Sequence, residues 1–175
     1  ETVSYSGDRF YEHQEFAGSE DLSVYLKDIH LEIDSGDLEK NIEIADCQGS
    51  DSPNPLHLAM IQDYLRTSDL IIYLISSRTG IRQADINFMS MIKQMGGMGN
   101  VLFVANFDFN EHEGLSDLKR VEAKIKEDLS LLTDSPSVYT FSALYALFQV
   151  RRSNLTDKDA QRLSQWENDA ALAEF

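Results

Sequence analysis

A three-layer α/β fold on a mostly parallel sheet, with one antiparallel hairpin strand, is the architecture this sequence predicts. Three observations carry that prediction. Two continuous apolar runs, Leu70 to Ile75 and Val101 to Ala105, have the composition of strands covered by helices on both faces. Each run is followed by an apolar stripe at helical spacing: Ile86, Met89, Ile92 and Met95 after the first, and Leu118, Val121, Ile125, Leu129 and Leu132 after the second. The connections between them are short, which favours right-handed crossovers in a single sheet.

Composition narrows the setting. At 175 residues the chain has room for one well-buried domain, and we expect a single domain over 1–175. Thirty acidic residues against fifteen basic ones give a formal charge of −15. A field of that sign repels phosphate backbones and anionic headgroups, so neither nucleic acid nor direct contact with an anionic membrane is expected. The lone cysteine, Cys47, excludes an internal disulfide and fits a reducing, cytoplasmic compartment. With no His or Lys beside it in sequence, it reads as a packed thiol and not as a redox centre. No apolar run has transmembrane length.

In order, Glu1 to Tyr5 reads as a short strand, and Ser6 to Asp21 as a polar, turn-rich stretch in which His13 is a solvated histidine. Leu22 to Ile33 alternates apolar and polar residues, as a half-buried edge strand does. The turn Asp34-Ser-Gly-Asp37 then returns the chain into Ile42 to Asp46, so these two strands form the antiparallel hairpin. A loop from Ser50 to Pro55 leads to a helix marked by Leu58, Ile61 and Leu65, with His57 near its start in a capping or solvated role. After the Leu70–Ile75 strand and its helix, Gly96-Gly-Met-Gly99 supplies a left-handed C-cap. Those glycines lack a following Lys-Ser/Thr and precede a strand, so they are not a phosphate loop. Ser116 is the expected N-cap of the next helix. Ser137 to Phe141 is the last strand, a helix begins near Leu144, and a final amphipathic helix lies within 157–175. Its inward positions are Ala160, Leu163 and Ala170, with Trp166 at the margin.

Chemistry-bearing residues gather where strands end. Asp46 closes the Ile42–Asp46 strand and Gly49 follows three positions later. In nucleotide-binding α/β domains such a carboxylate holds Mg²⁺, usually through water. The glycine amide approaches a terminal phosphate because no Cβ intervenes. Asn106 and Asp108 follow the second apolar strand, and Ser142 and Ala143 follow the third. The carboxyl ends of parallel strands are where open sheets of this class bind ligands.

This order, D-x-x-G, then an N-x-D element, then Ser-Ala, resembles the GTPase domain of the dynamin-like large GTPases over roughly Leu26 to Phe148. His30 to Gly49, H-L-E-I-D-S-G-D-L-E-K-N-I-E-I-A-D-C-Q-G, is similar to the family's two strands leading into D-T-P-G. Thr67 to Asp108 is similar to its "A-D" strand, serine, Asp-led helix and V-x-N-K-x-D segment. The resemblance implies a P-loop-NTPase-like fold, GTP and Mg²⁺ as ligands, and GTP hydrolysis by the full-length protein. It implies that Asp46 organises Mg²⁺ and Gly49 offers its amide to the γ-phosphate. By the same resemblance, Asn106 braces the guanine loop, Asp108 supplies the acceptor for the base, and Ser142 and Ala143 meet the base through backbone amides. A homodimer across the nucleotide face is implied too, as is a cytoplasmic protein whose peripheral membrane association runs through regions outside this chain.

The sequence departs from the family in three places. D-T-P-G is D-C-Q-G, with Gln48 read as a surface residue. N-K-x-D is Asn106-Phe107-Asp108-Phe109, lacking the lysine under the base, so Phe107 is the candidate to stack there and the choice of GTP over ATP stays open. No G-x-x-x-x-G-K-[S/T] occurs. The chain therefore looks clipped just past the phosphate loop and switch threonine, and hydrolysis by this chain alone is not expected. A different class of reading is a degenerate nucleotide-fold module that acts as an interaction or scaffold domain, with Phe107 and Phe109 filling the base site. A receiver-like domain phosphorylated on Asp46 lacks the first-strand acidic cluster and late-strand lysine it would need.

Overall fold

The computed structural model of the chain describes residues 29–32, 42–47, 55–112, 114–169 and 172. Two compact units are distinguished, Glu1–Ile44 and Ala45–Phe175. The described residues of the first unit, 29–32 and 42–44, carry no regular secondary structure and are exposed. The second unit begins with helix α1 (Pro55–Thr67) and strand β1 (Ile71–Ser76). Helix α2 (Gln83–Gln94), a 3₁₀ turn (Gly97–Asn100) and strand β2 (Val101–Asn106) follow. After a second 3₁₀ turn (Phe109–Glu111) come α3 (Leu115–Ser130), β3 (Val138–Phe141), α4 (Ala143–Val150), a 3₁₀ turn (Arg152–Asn154) and α5 (Asp157–Asn168).

The three strands form one parallel sheet in the order β1-β2-β3. Register sorts their side chains by face, since alternate residues point to opposite sides. Tyr73, Phe103 and Val138 align in one row, and Ile75, Ala105 and Thr140 in the next on the same side. That side is covered: Ile75, Phe103 and Ala105 join Met89 of α2 and Leu118, Ile125 and Leu129 of α3 in the core. The helical stripes expected from sequence are the surfaces that do this. Gly96 takes the left-handed conformation expected of it, at φ 78°, where the chain leaves α2.

Several expectations are corrected. The Leu70–Ile75 strand is not covered on both faces, since Ile72 and Leu74 are 57% and 67% exposed. The strands run in sequence order across the sheet and both crossover helices pack on one side, and among the described residues no helix covers the other side of β1. Ile42 to Asp46 is no buried strand: 42–47 have no regular structure, and Ile42 and Ile44 are 55% and 75% exposed. An alternating stretch becomes a strand only where a neighbour takes its backbone groups. Among the described residues only strands after position 70 form a sheet. Residues 29–32 carry no strand either, so the antiparallel hairpin is not formed among the described residues. Helix α3 starts at Leu115 behind Gly114 instead of at a Ser116 cap. On α5, Leu163 is buried as expected, whereas Ala160 is exposed. The Glu1–Tyr5 strand, His13, Gln48, Gly49, the side chain of His57 and Ala170 lie outside the described residues.

Candidate functional site

Parallel strands deliver all three exits to one edge of the sheet. Ser77, just past β1, donates its amide to Asn106 O at 3.0 Å, and Phe107, just past β2, donates its amide to Phe141 O at 2.8 Å. The ladder therefore continues to the last residue of each strand. Asn106 then bridges sideways: its side-chain Oδ1 accepts from the Ala143 amide at 2.9 Å. Ser142 is buried and caps α4, its Oγ accepting from the Tyr145 amide at 3.3 Å. Asn106, Ser142 and Ala143 are thus drawn together. One consequence differs from expectation, because the Ala143 amide that was to face a base is already engaged by Asn106.

Asp108 begins the loop after β2 and caps its 3₁₀ turn. Its Oδ1 accepts from the Asn110 amide at 2.9 Å and from Asn110 Nδ2 at 2.7 Å, which leaves Oδ2 without a hydrogen bond inside the turn. Phe107 is not at the surface. It is 1% exposed in the core, continuing the inward alternation of Phe103 and Ala105. Stacking of Phe107 under a base is thereby overturned, and so is its filling of a base site. Period two, read from Phe103 onward, was the signal for it. Phe109 instead meets Tyr145 and Trp166 at ring-centroid distances of 5.9 and 5.8 Å. These three rings, with Ser142, Gln149 and Glu167 among others, line a cleft of about 490 Å³.

Asp46 is exposed, and among the described residues it forms no hydrogen bond or ion pair with Asn106, Asp108 or Ser142. No group of three or more His, Cys, Asp or Glu side chains among the described residues is arranged to hold a metal. One carboxylate does fit a Mg²⁺ bound mainly by water and phosphate oxygens, because that ion uses few protein ligands. Beside it, Cys47 is exposed and not the packed thiol expected from sequence; partial desolvation and then the Asp46 charge push its thiol above its usual value, keeping it protonated at neutral pH.

Sequence reasoning missed a three-residue relay at the same edge. His112 Nε2 lies 2.9 Å from Ser77 Oγ, and its Nδ1 lies 3.0 Å from Asp117 Oδ2. Asp117 accepts only, so Nδ1 carries a proton and donates to it; in the neutral ring Nε2 then accepts from the Ser77 hydroxyl. The hydrogen bond from His112, reinforced by Arg120 and opposed by desolvation, holds the Asp117 carboxyl below the usual range. Ser, His and Asp in this order match the hydrogen-bond sequence of hydrolytic triads. Access decides against catalysis, however. Ser77 is 7% exposed, its amide is used by Asn106, and it does not line either the cleft beside Trp166 or the smaller one beside Leu65 and Ile92. The relay holds structure. Nothing in its spacing marks it in sequence, because sheet register alone brings Ser77 beside the β2 exit.

Neither the protein-family models nor the curated proteins searched contain a match to this chain. Among the described residues no helix is long and apolar enough to cross a membrane.

Proposed function

We propose that this chain is part of a GTP-binding and GTP-hydrolysing domain of the dynamin-like type, active only together with a phosphate-loop unit supplied from elsewhere in the full-length protein. The observation that carries the reading is the 2.9 Å hydrogen bond from the Ala143 amide to Asn106 Oδ1. It joins the two elements that the sequence resemblance assigns to base recognition, at the strand edge where open parallel sheets bind ligands. Asp108, with a free carboxylate oxygen beside them, is the group we assign to the base. Asp46 is assigned to water-bound Mg²⁺, and Gly49 to the terminal phosphate. Among the described residues nothing pairs with the outer edge of β1, and Ile72 and Leu74 are exposed; a further parallel strand and its helix there would give the three-layer, P-loop-type fold. The antiparallel hairpin, not formed among the described residues, is proposed to form only within that completed sheet.

In this reading the charge on the phosphates is neutralised by Mg²⁺ and by a lysine outside this chain. The residues here orient the base and position the metal-bearing carboxylate. The nucleotide edge is also the proposed face of a homodimer, and membrane contact is left to other regions of a cytoplasmic protein. Titration of the full-length protein with Mg·GTP tests the assignment. Asp46→Ala should remove the magnesium dependence of binding, and an unchanged magnesium dependence would refute the role of Asp46.

A second reading is favoured by the apolar side of the sheet on which Ile72 and Leu74 are exposed. It makes the chain a degenerate nucleotide-fold module that binds another protein through that side. Such a module would bind no nucleotide in any context.

A further inference from the structure

We infer that the Ser77–His112–Asp117 relay is a positioning device, through which His112 sets base selectivity without touching the base. The inference rests on the nucleotide reading above and adds to it a residue that the sequence resemblance does not assign.

The loop after β2 is short, and Phe109 within it packs against Tyr145 and Trp166. Phe107 enters the core at one end, and His112, whose side chain is 6% exposed, closes the other. The two rings pack together at 5.5 Å, so the ends of the loop meet. Between them, Glu111 N donates to Asp108 O at 3.0 Å and Asp108 Oδ1 takes two bonds from Asn110. Those bonds shape the turn but do not place it on the body of the protein. The exposed Arg78–Glu111 pair at 3.4 Å adds little, because solvent screens it. Phe109 holds the turn by apolar packing, and His112 supplies its polar tie to the body of the protein. Its two nitrogens reach in opposite directions, one to the exit of β1 and the other to the first turn of α3. A ring held at both nitrogens and packed at a tilt against a core phenylalanine has one orientation, and the Asp108 carboxylate four residues earlier inherits it. Where the resembling family has a lysine after its asparagine, this chain turns Phe107 inward and takes its loop support from Phe109 packing and from the His112 relay.

The experiment uses the full-length protein and two readouts: the ratio of GTP to ATP affinity, and amide hydrogen exchange across residues 108–112. His112→Ala should lower the ratio about tenfold and speed exchange at Asn110 and Glu111, while the magnesium-dependent affinity common to both nucleotides persists. His112→Asn, which retains a donor toward Asp117 alone, should fall between. Ser77→Ala removes one oxygen from a buried site and gives the same direction of change if His112→Ala fails to fold. An unaltered ratio, or unaltered exchange, in Ser77→Ala and a folded His112→Ala overturns the inference while leaving the nucleotide reading in place. A wild-type protein that binds neither nucleotide overturns both.

Discussion

At the scale of single residues, the strand exits are held by bonds whose removal has separable costs. Asn106→Ala deletes the acceptor of the Ala143 amide at the start of α4, and Ser142→Ala deletes the cap one residue earlier. Each should cost about 1 kcal/mol of stability, read as a lowered urea midpoint at unchanged slope. Phe107→Ala empties a fully buried site and should cost about 3–5 kcal/mol. A cost near that of an exposed aromatic would show that Phe107 faces outward after all. Acid sensitivity also resides here. Burial raises the Asp85 carboxyl, but hydrogen bonds from Tyr73 and Arg82 outweigh that and lower it, and Asp117 is lowered chiefly by His112. Groups lowered on folding stabilise above their unfolded values and lose that contribution as pH falls through the folded ones. Stability should therefore drop below about pH 4, and Asp85→Asn should flatten that part of the profile. A drop of equal steepness in the variant would contradict the assignment.

At the scale of elements, what was legible followed local periodicity. Met89 and Ile92 on α2, and Leu118, Ile125 and Leu129 on α3, are buried where a 3.6-residue repeat places them. The apolar runs became β1 and β2 for the same reason. Illegible features depended on partners distant in sequence. Ile42 to Asp46 has a strand's pattern but no described neighbour to pair with, and Ala160 matches a helical stripe yet finds nothing to pack on. Asn106, Ser142 and Ala143 were legible as strand-end residues, whereas the occupation of the Ala143 amide was not. The relay through His112 required three elements to be in place before it existed. Strand β1, which pairs only with β2 among the described residues, shows the practical effect: an uncharged edge with Ile72 and Leu74 in solvent invites association. Ile72→Lys with Leu74→Lys should keep this chain monomeric at concentrations where the parent sequence self-associates, as followed by light scattering. In the full-length protein the same pair should be destabilising. Identical scattering of the two chains would show that this side is not a sticky surface.

For the whole molecule, the described residues form one parallel sheet with a helical layer on one side, and their strand exits are cross-tied at one edge. A net charge of −15 disfavours nucleic acid at that edge, yet places no bar on a nucleotide whose charge, in the proposed reading, is masked by Mg²⁺ and a lysine from outside this chain. The account depends on base recognition being assembled from Asn106, Asp108 and the Ser142–Ala143 turn. Isothermal titration of the full-length protein with GTP and with ATP, both with Mg²⁺, measures this directly. The account predicts that GTP binds at least about tenfold more tightly and that Asp108→Ala erases the difference. Equal affinities in the wild-type protein, or no binding of either nucleotide, would contradict it.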